Sequence, residues 1–176
     1  MCGPMSVETP GGARFLLTFK DDATSFRYIY FLKHKNDVYE KFKIFDKMIE
    51  NKFRKPMRVL RSDNGLEFRN KKMDSYLESR GIVRECTAPY TPEQNRKAER
   101  DNRTIIEGAR MMILAKDLPV SLWAEAANTM IYLMNRSGTV GVRNDATPYE
   151  LWNGRKPNLR ICEYSDRRPL CTCRRR

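Results

Sequence analysis

The sequence predicts an α/β domain: a mixed sheet flanked by helices. The order of elements is one reason, since two strand-like runs are followed by a helix, a strand, a helix, a strand and then several helices. A second is the 40% hydrophobic share with 8 Phe, 8 Tyr and 2 Trp, which argues against disorder over most of the length. A third is the length of 176 residues without an internal repeat. A domain of that size buries about 70% of its unfolded surface.

Phe15 to Phe19 and Phe26 to Leu32 are apolar, aromatic and β-branched runs separated by the polar Lys20-Asp21-Asp22-Ala23-Thr24-Ser25, which reads as a hairpin. Polar side chains in such a turn are ordinary turn chemistry, so Asp21 and Asp22 are read as turn residues. Val38, Phe42, Phe45 and Ile49 then recur at helical spacing, and Pro56 ends the pattern. Met57 to Leu60 reads as a short buried strand broken at Ser62-Asp63-Asn64-Gly65. Met73, Tyr76 and Leu77 mark a second helix closed by Gly81, and Ile82 to Thr87 another strand. After a loop from Pro89 to Pro92, the longest helical pattern runs from Glu93 to Lys116. A further helix covers Ser121 to Asn135, and Thr147-Pro148-Tyr149-Glu150 opens one more turn. Trp123 and Trp152 are read as core or interface aromatics.

Charge is the main compositional signal. There are 34 Lys+Arg against 22 Asp+Glu, a net of +12. Residues 155–176 hold eight basic and two acidic residues, so half of the net charge falls in the last 22 positions. A modestly basic body with a strongly basic tail suits a polyanionic partner, most simply nucleic acid, although a solvated body with an unstructured end has the same composition. Five cysteines without a CxxC pair and a single histidine, His34, argue against a disulfide scaffold or a zinc finger. No apolar run reaches the roughly 20 residues that span a bilayer, and the N-terminus lacks a signal-peptide layout. The expected location is therefore intracellular, nucleus or cytoplasm, with no membrane contact.

Two carboxylates stand out by position. Asp63 follows a strand and precedes a glycine turn, the place where open α/β sheets keep their sites. Glu99 lies near the start of the long helix, with 35 residues between the two. Two carboxylates on separate rigid elements can share hard divalent cations, the arrangement used in phosphoryl transfer. One Asp and one Glu are a weak signal, and on spacing alone they read first as solvated surface acids. Arg103 and Arg110 lie four and eleven residues past Glu99, on the same helix stripe. They suit either a phosphate backbone or, for Arg103, an i,i+4 ion pair with Glu99.

The blocks GGARFLLTFKDD, YFLKHK, LRSDNGLEF, TAPYTPEQN-x-x-AER, NRT, LPVSLWAEA, LMNR and TPYELWNGRKP resemble the integrase core of copia-type retrotransposons, in order and at matching distances from Cys2 to about Arg160. The resemblance implies a ribonuclease H-like fold with a five-stranded mixed sheet and an integrase core over residues 1–160, with 161–176 a basic tail without a fold of its own. It implies a fragment of a Pol polyprotein acting in DNA integration by metal-dependent 3′-end processing and strand transfer. It also implies Mg²⁺ or Mn²⁺ held by an Asp, Asp, Glu triad, with DNA as partner and a possible homo-oligomer. Asp63 matches the second triad aspartate and Glu99 the glutamate, both as metal ligands.

The first triad aspartate belongs to an Asp-x-Cys-Gly-Pro-Met context, and here only Met1 precedes Cys2-Gly3-Pro4-Met5. The first strand is thus expected to be truncated and the chain, as written, inactive. Where the family usually reads Gln-Asn-Gly, this chain has Gln94-Asn95-Arg96, followed by Lys97. Asn95, Arg96 and Lys97, with Arg103 and Arg110, are the expected nucleic-acid contacts. The alternative is a non-catalytic DNA-binding or dimerisation module.

Overall fold

The computed structural model describes residues 1–62, 65, 67–86, 92–138 and 146–158, and of residues 92–97 the backbone alone. Its elements are β1 (Phe15–Lys20), β2 (Arg27–Leu32), α1 (Val38–Phe53), β3 (Val59–Ser62), α2 (Lys71–Arg80), β4 (Val83–Cys86), α3 (Pro92–Ala115), α4 (Trp123–Arg136) and α5 (Pro148–Asn153), with short 3-10 turns ahead of α1 and α4. The chain forms two compact units: Met1–Leu17 with Tyr30–Arg103, and Thr18–Ile29 with Thr104–Arg176.

In the first unit α1 buries Val38, Phe42 and Phe45 of the stripe its periodicity predicts, leaves the fourth position, Ile49, half-buried, and ends just short of Pro56. Arg54 closes it in a left-handed conformation, φ 52°, with its N–H on the Glu50 carbonyl at 2.7 Å. Helix α2 begins at Asn70, whose side chain accepts from the Met73 N–H at 2.9 Å. It ends at Gly81, φ 66°, a left-handed cap that glycine enters without a Cβ penalty. Strand β3 lies two residues later than the apolar run suggests. Its limits come from the parallel register with β4, Val59 on Val83 through Ser62 on Cys86.

The five-stranded sheet is not seen among the described residues. There are two two-stranded sheets, β1–β2 and β3–β4. The N-terminal segment starts to add to β1, because Cys2 and Leu16 exchange backbone hydrogen bonds at 2.8 and 2.9 Å. Pro4, two residues on, has no N–H to continue the ladder.

A buried carboxylate joins α1 to α2. Asp46 is fully buried on the apolar stripe of α1. Its Oδ2 accepts from the Tyr76 hydroxyl at 2.8 Å and from Arg80 Nε at 2.9 Å, and Arg80 Nη2 continues to Glu50 at 2.6 Å. Burying a charge is costly unless it is paired and hydrogen-bonded, and this arrangement satisfies one oxygen twice. Oδ1 has no partner among the described residues. The Tyr76 ring also meets Tyr39 and Phe42 edge-on, with centroids 6.1 and 6.0 Å apart.

In the second unit Asp21 Oδ2 accepts from the Thr24 N–H and hydroxyl at 2.8 and 2.7 Å, the turn role its sequence context indicates. The buried Asn135 side chain of α4 bonds both backbone groups of Arg27, receiving its N–H at 2.9 Å and donating to its carbonyl at 2.8 Å. Helix α4 buries Trp123, Ala127 and Ile131. Helix α5 starts with a reciprocal cap between Thr147 and Glu150. Trp152 stacks on Phe26 with centroids 5.1 Å apart and donates to the Tyr28 hydroxyl at 3.3 Å. Both tryptophans are core residues, at 8% and 6% exposure. Helices α3 and α4 approach so closely at Gly108 that an added Cβ would lie 2.6 Å from the Met130 sulfur. Among the described residues no helix is long and apolar enough to cross a membrane.

Two outcomes follow from the Asp46 cluster. Asp46→Ala removes one partner of a buried pair and is expected to cost about 3 kcal/mol, read as a lower urea midpoint at constant slope. Burial first, and the bond to Asp46 second, push the Tyr76 hydroxyl from 10.0 up to about 12. The unfolded chain therefore releases this proton earlier than the folded one, and stability falls as pH rises from about 10 to about 12. Urea titrations across that range should show a shallower decline for Tyr76→Phe.

Candidate metal and nucleic-acid site

The candidate site starts from the carboxyl edge of β3–β4. Ser62 ends β3 and stands in register with Cys86, the last residue of β4. Ser62 is buried, with no hydrogen-bond partner for its Oγ among the described residues. Asp63 and Asn64 are the next two residues and lie outside the described ones. The chain is again described at Gly65, whose carbonyl accepts from the N–H groups of Phe68 and Arg69 at 3.0 and 3.2 Å. The turn expected over Ser62 to Gly65 lies outside the described residues.

From the same edge, residues 87–91 lead on from β4, and α3 begins at Pro92. Glu99 lies about two turns into that helix and is exposed. Arg103 and Arg110 are exposed too. Burial begins only at Ile105 and continues at Ala109 and Ile113, so the carboxyl half of α3 is anchored while Ala98, Glu99 and Arg100 face solvent. The i,i+4 ion pair between Glu99 and Arg103 is not formed among the described residues. Glu99 is an exposed carboxylate without a cation of its own there. Asn95, Arg96 and Lys97 lie on α3, but their side chains are outside the described set.

Carboxylate oxygens suit a hard divalent cation, and of the two expected ligands Glu99 is the one the structure describes. Among the described residues no group of three or more His, Cys, Asp or Glu is placed to hold an ion. Sequence reasoning missed the pair between Arg61 and Glu85 beside this edge, Nη2 to Oε2 at 2.9 Å. The two are 24 positions apart, and only the β3–β4 register brings them opposite each other.

The described elements make a mixed α/β fold, with the candidate acids assigned to the chain after β3 and to α3. Solved structures agree on the fold. The chain is similar to the catalytic core domain of BIV integrase, with TM-score 0.55 and 20% identity over 78% of this chain and 84% of that one. It is also similar to a chain of the simian T-cell lymphotropic virus intasome in complex with PP2A regulatory subunit B56 gamma, with TM-score 0.61 and 17% identity over 82% of this chain and 49% of that one. The family model described as Integrase core domain matches residues 2–92, and the chain belongs to that family. The match includes Asp63 and ends before Glu99.

Its relatives are copia-type retrotransposon Pol polyproteins, as the motif blocks indicated. The retrovirus-related Pol polyprotein from transposon TNT 1-94 of Nicotiana tabacum is 40% identical over 156 residues, 89% of this chain. The chain spans 12% of that polyprotein's length.

An exposed, unpaired carboxylate contributes little to folding. Glu99→Gln is expected to shift unfolding stability by less than about 0.5 kcal/mol, measured by urea denaturation. A larger loss would mean that Glu99 has a structural partner.

Proposed function

We propose that residues 1–160 are the catalytic core of a retrotransposon integrase, in which Asp63 and Glu99 hold divalent cations, Mg²⁺ or Mn²⁺, against DNA. The observation that supports this most is Glu99 itself: exposed, unpaired, and on the helix that follows the edge where β3 ends. Bound there, paired divalent cations would supply Lewis acidity toward phosphodiester oxygens. The chain's own residues would do the rest. Asp63 would be fixed by its attachment to the buried end of β3, and Gly65 would turn the chain away behind it. Glu99 would approach from α3. Arg103 and Arg110 would meet phosphates along the same helix stripe, with Asn95, Arg96 and Lys97 at its start. The reaction class would be end processing and strand transfer on DNA, by direct displacement at phosphorus without a covalent enzyme intermediate.

The five-stranded sheet belongs to this proposal as well. A strand continuing ahead of Cys2 would lengthen the pairing that Cys2 begins with Leu16, and would carry the first triad aspartate. Within residues 1–176 the two triad positions of this proposal are Asp63 and Glu99. The second reading is a non-catalytic DNA-binding role for the same surface, to which the basic residues 161–176 would add affinity.

The test is a calorimetric titration with Mn²⁺. Adding residues ahead of Met1 that include an aspartate should tighten binding, because three carboxylates repel one another until a cation joins them. Asp63→Asn or Glu99→Gln in that extended chain should return the affinity to the level of the original. Equal affinity in all four proteins would remove Asp63 and Glu99 from the site.

A further inference from the structure

The segment leading into the amino end of β3 is strongly basic. Residues 47–58 contain Lys47, Lys52, Arg54, Lys55 and Arg58 with a single acid, Glu50. Glu50 is already engaged by Arg80 at 2.6 Å. All five cations are exposed. Arg61, Arg80 and Arg84 each have a carboxylate partner. Lys47, Arg54, Lys55 and Arg58 have none among the described residues.

We propose that this end of α1, with the turn leading into β3, is a second phosphate-binding surface that holds a nucleic-acid backbone. The inference rests on the reading that the chain handles DNA, but uses none of the residues assigned there. Arg58 immediately precedes β3 and Asp63 immediately follows it, so four strand residues, about 13 Å, separate the two ends. A helix C-terminus favours cations in its last turn, which accounts for Lys52. Lys55 and Arg58 lie beyond the helix and outside that effect.

The shape of the segment selects the partner. Arg54 sits at φ 52° with its N–H bonded to the Glu50 carbonyl, so the cations are spread over a capped helix end and the segment after it instead of lying along one extended strand. A groove in an acidic protein that reads an extended basic peptide would need this cap undone. A phosphate ladder needs only several cations on one fixed surface and no unfolding.

The test uses fluorescence anisotropy on a random-sequence duplex and on a single strand of equal length, each over a salt series. The full chain is compared with a variant carrying Lys47→Ala, Arg54→Gly, Lys55→Ala and Arg58→Ala. Every phosphate that is no longer neutralised lowers the log–log salt slope by about 0.9 on duplex and about 0.7 on single strands. A fall of about two to four units on the duplex supports the surface. A fall on the duplex alone assigns it to double-stranded DNA, and a fall on both assigns it to the backbone in either form.

Arg54→Gly alone guards against misfolding, because glycine adopts this φ without strain. Its slope should fall by about 0.9 while its melting temperature does not drop. Unchanged slopes in both variants, with the original chain still binding, would overturn this surface and leave the DNA reading intact. An original chain that bound no duplex even at low salt would overturn both.

Discussion

Because β3 and β4 run parallel, their carboxyl ends share one edge, and everything proposed for chemistry is set out from that edge. Antiparallel strands would have sent Asp63 and the approach to α3 in opposite directions. With the register fixed from Val59–Val83 to Ser62–Cys86, the chain leaves β3 at Asp63 and leaves β4 for α3 on the same side. Each strand is only four residues long, and its outward positions are exposed: Val59 at 43% and Val83 at 60%. Such a short pair has little stability of its own, so the helices that follow each strand must hold it in place.

One of those helices is held by the Asp46 cluster. Arg80, in the last turn of α2, reaches two acids on α1, while Gly81 turns the chain directly into β4 through the Ile82 N–H to the Leu77 carbonyl at 2.9 Å. The position of β4 therefore depends on an ion pair between α1 and α2. Arg84 adds a second link, pairing with Asp74 of α2. A charge buried to this extent favours one geometry over near alternatives more than it adds net stability.

Most elements were legible because their periods were clean. The stripe through Val38, Phe42 and Phe45, the Gly81 cap and the Thr147–Glu150 cap each follow from local rules, and each is seen. What local rules could not show were partners distant in sequence. Asp46 reads as a lapse in an apolar stripe until Arg80, 34 residues later, is placed beside it. The start of β3 could not be fixed from its own residues, since the register of β4 decides it. The candidate site divides in the same way. The motif and spacing around Asp63 and Glu99 were readable, but whether Glu99 would be neutralised by Arg103 is a matter of side-chain conformation, and helical spacing is silent on it.

Asn135 has a consequence of another kind. Its amide offers a donor and an acceptor at the separation of a peptide group, and it uses both on the backbone of Arg27, the first residue of β2. A side chain here does the work of a neighbouring strand. Strands with unpaired backbone edges recruit other chains and seed aggregation, and proteins commonly blunt them with charge, proline or a bulge. In this chain a helix commits one side chain to occupy the end of β2, where a second molecule would otherwise gain its first two hydrogen bonds. An exchange to aspartate at this position would keep the acceptor and lose the donor, leaving the Arg27 carbonyl facing a carboxylate. The result would be a sheet end that repels its own helix and is open to a foreign strand.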